Sequence, residues 1–302
     1  GMTMHANGIQ QCIDNVAKSI EFTKKEEPTS PDRLRGKGIA IMWKAPAMPP
    51  NPGSSAWVEL SEDGKATVGL GGQEIGQGTF TVMAQIAAEA LGVKYEDVRI
   101  AGPVDTQYSP YEWQTVASRL TWSMGNAVRL AALDARKQIL DVVAEAWNET
   151  PEDLDIVNGM VVSYKSEQET PLANLVIYGL PRPNDEGWVG GPIVGRGSFM
   201  PRYVTNLDAE TGQGARAVVH YTVGCEGMDI EIEKETGRIH VIKAAASFDV
   251  GKAINPALVK AQVEGGFVQG LSSAMFEEIR LRNGVMTNPS FVDYRIATTA
   301  DT

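Results

Sequence analysis

The stretch that most restricts the fold is one in which a hairpin runs without a break into a glycine-rich turn and then into a helix. Ala56-Trp57-Val58-Glu59-Leu60 reads as a strand, Asp63-Gly64 is a turn pair that tolerates positive φ, and Ala66 to Leu70 is the return strand. That strand enters Gly71-Gly72-Gln73-Glu74-Ile75-Gly76-Gln77-Gly78. Met83, Ile86, Ala87, Ala90 and Leu91 then recur at helical spacing over residues 79–91, with Gly92 in the usual C-terminal cap place. A strand that meets a helix N-terminus through such a turn aims backbone N–H groups at one small volume, which favours an anion or a polarised oxygen. Glycines let a bulky ligand approach the backbone, and the Gln77 amide donates and accepts without adding charge. Taken alone, Gly76-Gln77-Gly78 reads better as a plain tight turn.

The rest of the chain has the same grammar. A helix is predicted over 7–27, a strand over Arg35–Lys44, and a loop at Pro46, Pro49, Pro50 and Pro52. A short strand, Val98–Ala101, precedes a long irregular stretch, 102–121, of the kind that is often functional. A helix over 124–147 and a strand over Gly159–Tyr164 follow, then a pattern-poor connection over 165–213. Arg216–Val223, Met228–Glu233 and Ile239–Ser247 alternate like strands. Asn255 is a good N-cap, Pro256 a good first helical residue, and that helix is predicted to run to about Leu271. Met275–Leu281 and Val285–Met286 read as strands around Asn283-Gly284. The pattern predicts an α+β fold of two lobes, each a mixed β-sheet with packed helices and Gly-rich strand-to-helix turns. Residues 1–34 would form an N-terminal helix and linker, 35–165 the first lobe and 166–302 the second. Hairpin, Gly-rich turn and helix recur in both halves, which fits either a duplication or a common α+β grammar.

Charge and composition exclude several classes of function. The net charge of −11 speaks against a broad basic face for nucleic acid or anionic lipid. No apolar run approaches the roughly 20 residues of a membrane-spanning helix. Cys12 and Cys225 are the only cysteines and lack metal or redox spacing, which suits a reducing cytoplasm. His5, His220 and His240 are scattered, so ordinary structural histidines are expected rather than a metal site.

Two more stretches carry chemistry. Thr115-Val116-Ala117-Ser118-Arg119-Leu120-Thr121 offers hydroxyls, backbone donors and an arginine that could grip a phosphate with two bonds. The bland alternative is a polar capping loop with a surface arginine. On the predicted helix from Asn255, Gln262, Gly265, Gly266 and Gln269 cluster on one face. Adjacent glycines inside a helix cost roughly 1 kcal/mol each relative to Ala, which implies close approach by another helix or by a ligand. The sequence contains no Walker-type phosphate loop, no Gly-x-Ser-x-Gly turn and no Cys-x-x-Cys.

In order and spacing these stretches resemble the molybdenum-binding subunit of the xanthine dehydrogenase, aldehyde oxidase and carbon monoxide dehydrogenase family. The matching text is Gly72 to Gly78, Gln85-Ile86, Ala88 to Gly92, Asp105-Thr106, Ala117-Ser118-Arg119, Gly125 to Val128, Asp249-Val250-Gly251, Asn255-Pro256, Gln262 to Gly266 and Gln269-Gly270-Leu271. Each motif is moderate alone; the ordered set, from about residue 10 onward, is specific.

The resemblance implies a molybdenum cofactor: molybdopterin, in bacteria often its cytosine dinucleotide form. It implies that Gln77 orients the metal's ligands, and that Gly76, Gln77, Gly78, Ala117, Ser118, Arg119, Thr121, Asn255 and Gln262 contact the cofactor. No side chain is expected to ligate the metal. The implied reaction is hydroxylation of an aldehyde or a purine-like N-heterocycle with oxygen from water. Implied partners are a 2Fe–2S unit, an FAD unit and the remaining half of the large subunit. The family's catalytic base is a Glu in a Gly-x-Gly-Glu setting that this sequence does not contain, so the chain is expected to be the truncated C-terminal half of a longer subunit and inactive by itself. The alternatives are a non-catalytic protein that stores or inserts the cofactor, and a structural oligomerisation domain with degenerate motifs.

Overall fold

The computed structural model describes residues 8–45 and 53–301. His5 and the proline loop at Pro46, Pro49, Pro50 and Pro52 lie outside them. In chain order the main elements are α1 (Ile9–Ser19), β1 (Arg33–Lys44), β2 (Ser54–Leu60), β3 (Ala66–Leu70), α2 (Thr79–Leu91), β4 (Val98–Ile100), α3 (Leu120–Trp147), β5 (Leu154–Val157), β6 (Met160–Ser163) and β7 (Glu169–Pro171). They continue with α4 (Leu172–Ile177), β8 (Leu180–Pro181), β9 (Trp188–Val189), β10 (Val194–Phe199), β11 (Thr222–Glu233), β12 (Ile239–Asp249), α5 (Pro256–Met275), β13 (Leu281–Arg282) and β14 (Val285–Met286).

The chain forms two compact units. One holds Ala45–His220; the other joins Thr3–Lys44 to Tyr221–Thr302. The predicted division at 34/35 and 165/166 is therefore displaced. Strand pairing is the cause: β1 pairs with β11 along its whole length, from Arg33↔Glu233 to Lys44↔Thr222, and β10 pairs with β2.

In the first unit a four-stranded sheet has the order β10-β2-β3-β4. It is mixed, since β3 and β4 run parallel and the other pairs antiparallel. Strand β2 alternates as a half-buried strand should, with Ala56, Val58 and Leu60 facing the core. Helix α3 covers β10 and β2 and packs on α2. Its buried face carries Ala127, Ala131, Ala132 and Ala135, small enough for the helix backbone to lie against β10. A Cβ on Gly195 would stand 2.1 Å from Ala131 O, and one on Gly197 2.1 Å from Ala127 O. These glycines disguise β10 within what the sequence presents as a structureless connection. β5, β6 and β7 form a separate antiparallel sheet.

The second unit is built on the antiparallel sheet β1-β11-β12. Helix α1 lies over it, with Cys12 and Val16 packed against Cys225. Gly227 admits the helix: a Cβ there would be 2.6 Å from Val16 Cγ1. The helix stops at Ser19 rather than near residue 27 because the buried Ile20 leads into Glu21 at φ +51°. Beyond α1, cross-strand charges hold the sheet: Arg35 forks onto Asp229 at 3.0 and 2.7 Å. β11 is one strand from Thr222 to Glu233 where two were expected, from Arg216 and from Met228. Helix α5 continues past Leu271 to Met275, replacing the strand expected from Met275, and β13 and β14 form a hairpin with Asn283 and Gly284 both at positive φ.

Candidate functional site

The Gly71–Gly78 loop connects β3 to α2 and is fixed from both sides. A Cβ on Gly71 would be 2.2 Å from Pro110 O, so only glycine lets the 110s segment cross there. A Cβ on Gly72 would be 3.1 Å from Leu120 Cδ1. Gly76 and Gly78 take φ of +99° and +85°, and Gly78 is the left-handed N-cap of α2. Gln73 N–H donates to Thr115 Oγ1 at 2.8 Å, which ties two sequence-predicted stretches together.

Within the loop, the N–H groups at the start of α2 meet a carboxylate from the same chain. Glu74 Oε1 accepts from Gly76 N–H and Gly78 N–H, both at 2.9 Å, and Oε2 accepts from Phe80 N–H at 3.0 Å. Partial burial works to raise the Glu74 pKa, but the N–H bonds from Phe80, Gly78, Gly76 and Gln77 together outweigh it and hold the carboxyl below its ordinary range. The expectation that this turn offers its free N–H groups to an outside anion is therefore corrected: Glu74 is the anion at this helix N-terminus.

Gln77 is locked as well. Nε2 donates to Gln73 O at 2.9 Å and to Thr79 Oγ1 at 2.6 Å, and Oε1 accepts from Ile75 N–H at 2.7 Å. An amide nitrogen carries two hydrogens, so both donors are committed, while Oε1 has a second lone pair. In this rotamer the side chain of Gln77 has only an acceptor, Oε1, left to offer.

The second stretch packs against the first. Ala117 and Ser118 take φ of +55° and +60°, consecutive left-handed residues just ahead of α3. For residues with a Cβ this conformation costs roughly 1–2 kcal/mol each, so the surroundings must impose it. Arg119 does not reach outward as the phosphate reading requires. Its side chain is 1% exposed and ion-paired with Glu112, whose side chain is 2% exposed. Thr121 is exposed in the first turn of α3. Trp122 packs edge-on against Phe199, centroids 5.0 Å apart, and against His220 at 5.8 Å.

Asn255 and Gln262 belong to the other unit. Asn255 Oδ1 accepts Leu258 N–H at 3.0 Å and Pro256 opens α5, as the sequence predicts. Gln262 is exposed. A Cβ at Gly265, Gly266 or Gly270 would meet no described atom within 4 Å, so among the described residues no neighbouring helix explains these glycines. Among the described residues, no group of three or more His, Cys, Asp or Glu could hold a metal ion, and no helix is long and apolar enough to cross a membrane.

Two residues of this site escaped the sequence reading, Glu74 and Glu112. Glu74 sits four residues before the Gly78 cap, a spacing that the usual Ser/Thr-x-x-Glu signature does not cover. Glu112 shows its role only through Arg119.

A family model described as "Molybdopterin cofactor-binding domain" matches residues 15–302. The chain belongs to this molybdopterin cofactor-binding family. It is 27% identical over its whole length to the putative xanthine dehydrogenase molybdenum-binding subunit XdhA of Escherichia coli, of which it spans 39%. It is 28% identical, over 82% of its length, to the carbon monoxide dehydrogenase large chain of Afipia carboxidovorans, of which it spans 29%. In fold it matches quinoline 2-oxidoreductase from Pseudomonas putida 86 with a TM-score of 0.76 at 22% identity, over 100% of this chain and 38% of that one. The chain thus spans well under half the length of these relatives. A molybdopterin cofactor-binding domain must receive a broad heterocycle, and two features of this loop are compatible with one: no described atom lies within 4 Å of a Cβ built at Gly76, and the uncharged Gln77 Oε1 beside it keeps an acceptor position.

Proposed function

We propose that this chain is the molybdopterin-holding part of a molybdenum hydroxylase that oxidises an aldehyde or a purine-like N-heterocycle with oxygen from water. The observation that carries the reading is the tie between the two loops: Gln73 N–H on Thr115 Oγ1 holds the Gly76-Gln77-Gly78 turn beside Ala117-Ser118 in one unit. The bound cofactor would supply the two-electron redox centre. The chain's own residues bind and orient it. Gly76 and Gly78 permit approach, Gln77 Oε1 accepts a hydrogen bond from the ligand, and Ala117, Ser118 and Thr121 present backbone and hydroxyl groups. Arg119 contributes through its backbone. In the other unit, Asn255 fixes the start of α5, and Gln262 on that helix is exposed and open to a ligand.

The cofactor is taken to be the cytosine dinucleotide form. The partners are the remaining half of the large subunit, a 2Fe–2S unit and an FAD unit, which carry electrons away. Two cysteines that remain buried thiols agree with work in the cytoplasm. The catalytic base belongs to the rest of the subunit.

Analysis of the purified full-length protein tests this. Molybdenum with a dithiolene pterin, CMP released on acid hydrolysis, and oxidation of an aldehyde or N-heterocycle by a dye acceptor are expected. Neither molybdenum nor pterin would overturn the reading; cofactor without any oxidation would make the protein a carrier.

A further inference from the structure

Arg119 is the residue of the second stretch whose chemistry the cofactor reading does not absorb. A guanidinium beside two left-handed residues and a helix start looks made for a phosphate. Its actual surroundings are internal. Arg119 Nη1 bonds Glu112 and also donates to Gln114 O at 3.1 Å, and the guanidinium carbon stands 5.7 Å from the Trp113 ring. Glu112 Oε1 accepts Trp113 N–H at 3.0 Å as well. Glu112 is anchored to the sheet: Ser54 and Glu112 form a β-bridge, and Ser55 N–H donates to Tyr111 O at 2.9 Å. At the other end, Ser123 Oγ donates to Arg119 O at 3.1 Å within α3. The pair therefore joins a fixed point on β2 to a fixed point on α3, and residues 113–118 are the arc between them.

We propose that Glu112 and Arg119 form a latch that sets the Ala117–Ser118 backbone for ligand contact, and that the Arg119 side chain itself touches no ligand. The inference rests on the cofactor reading for what the arc contacts, but on geometry alone for what the latch does. Glu112 Oε2 is buried without a hydrogen-bond partner among the described residues, so the charge of Glu112 is met mainly from the Arg119 side. Moving the guanidinium out to a phosphate would strand that carboxylate in the interior. The same bond closes the arc into a ring in which two residues with a Cβ can be held left-handed, a conformation that persists only when its surroundings over-determine it. Glu112 and Arg119 are positioning residues.

The test uses Glu112→Gln, Arg119→Met and the double variant in the full-length protein. It reads amide hydrogen exchange over 115–119, near-ultraviolet circular dichroism from Trp113, and molybdenum and pterin per protomer. Each single variant leaves one charge buried and unpaired, so protection of the arc and cofactor content should both fall by about tenfold, with an altered Trp113 signal. The double variant buries no charge and should recover most of both. Two results overturn the proposal. One is unchanged exchange and dichroism in both single variants. The other is normal cofactor content in Glu112→Gln with loss in Arg119→Met that the double variant fails to rescue, the signature of a guanidinium that grips the ligand. A single variant that fails to fold beside a folded, protected double variant supports the latch. Absence of molybdenum from the wild type would sink the cofactor reading instead, and the exchange and dichroism would still decide the latch.

Discussion

Glu74 Oε1 accepts the backbone N–H of Gly78 at 2.9 Å, so the first turn of α2 is capped by a carboxylate from the loop that leads into it. Capping by this group depends on its charge. Its folded pKa lies below the ordinary value of 4.5, so its contribution to stability is fully present above that value and is lost as pH falls through the lowered one. Glu74→Gln should cost about 0.5–2 kcal/mol near neutral pH, the usual range for a lost cap. The difference from wild type should shrink below pH 4.5. Urea unfolding of both proteins between pH 3 and 7 checks this; a difference that does not change with pH would contradict it.

Helix α3 rests on the backbone of β10 at Gly195 and Gly197; at Gly197, Ala127 O and Ala131 N stand 2.1 and 2.5 Å from a built Cβ. Backbone cannot step aside as a flexible side chain can. Gly197→Ala should therefore destabilise by about 1–3 kcal/mol, the range for overpacking, instead of gaining the few tenths that Gly→Ala brings in an unstrained strand. A thermal midpoint equal to or above wild type would contradict the packing described.

What the sequence reveals here is local, and what it conceals is tertiary. The β2–β3 hairpin, helix α2 and its left-handed caps at Gly78 and Gly92 follow from side-chain periodicity and glycine placement. Strand β10 does not, because Gly195 and Gly197 lower strand propensity and their reason for being glycine is α3, more than 50 residues earlier in the chain. β1 likewise finds its partner, β11, only across most of the chain. At the site, Gln77 and Ala117–Ser118 are readable as motifs. That Glu74 fills the helix N-terminus and that Arg119 faces inward are not, since each depends on which polar group arrives first in space.

Asn255 caps α5 through Oδ1 and Leu258 N–H. Little else secures this helix, of which Ser272 is the one buried residue. Asn255→Ala should raise amide exchange in the first turn of α5 by about five- to thirtyfold, matching a loss of roughly 1–2 kcal/mol, while Asn255→Ser largely restores protection. Unaltered exchange at Leu258 and Val259 in Asn255→Ala would show that the cap does not hold the helix.

The claim at the centre of this account is that the Gly71–Gly78 loop meets a molybdopterin through Gln77, and the most direct test is the molybdenum and pterin content of full-length Gln77→Ala beside wild type. The Gln77 amide is half-exposed and its bonds reach only Gln73, Ile75 and Thr79 among the described residues, so the account predicts a loss of about tenfold in bound cofactor with little change in the unfolding midpoint. Wild-type molybdenum and pterin in the folded variant would contradict it.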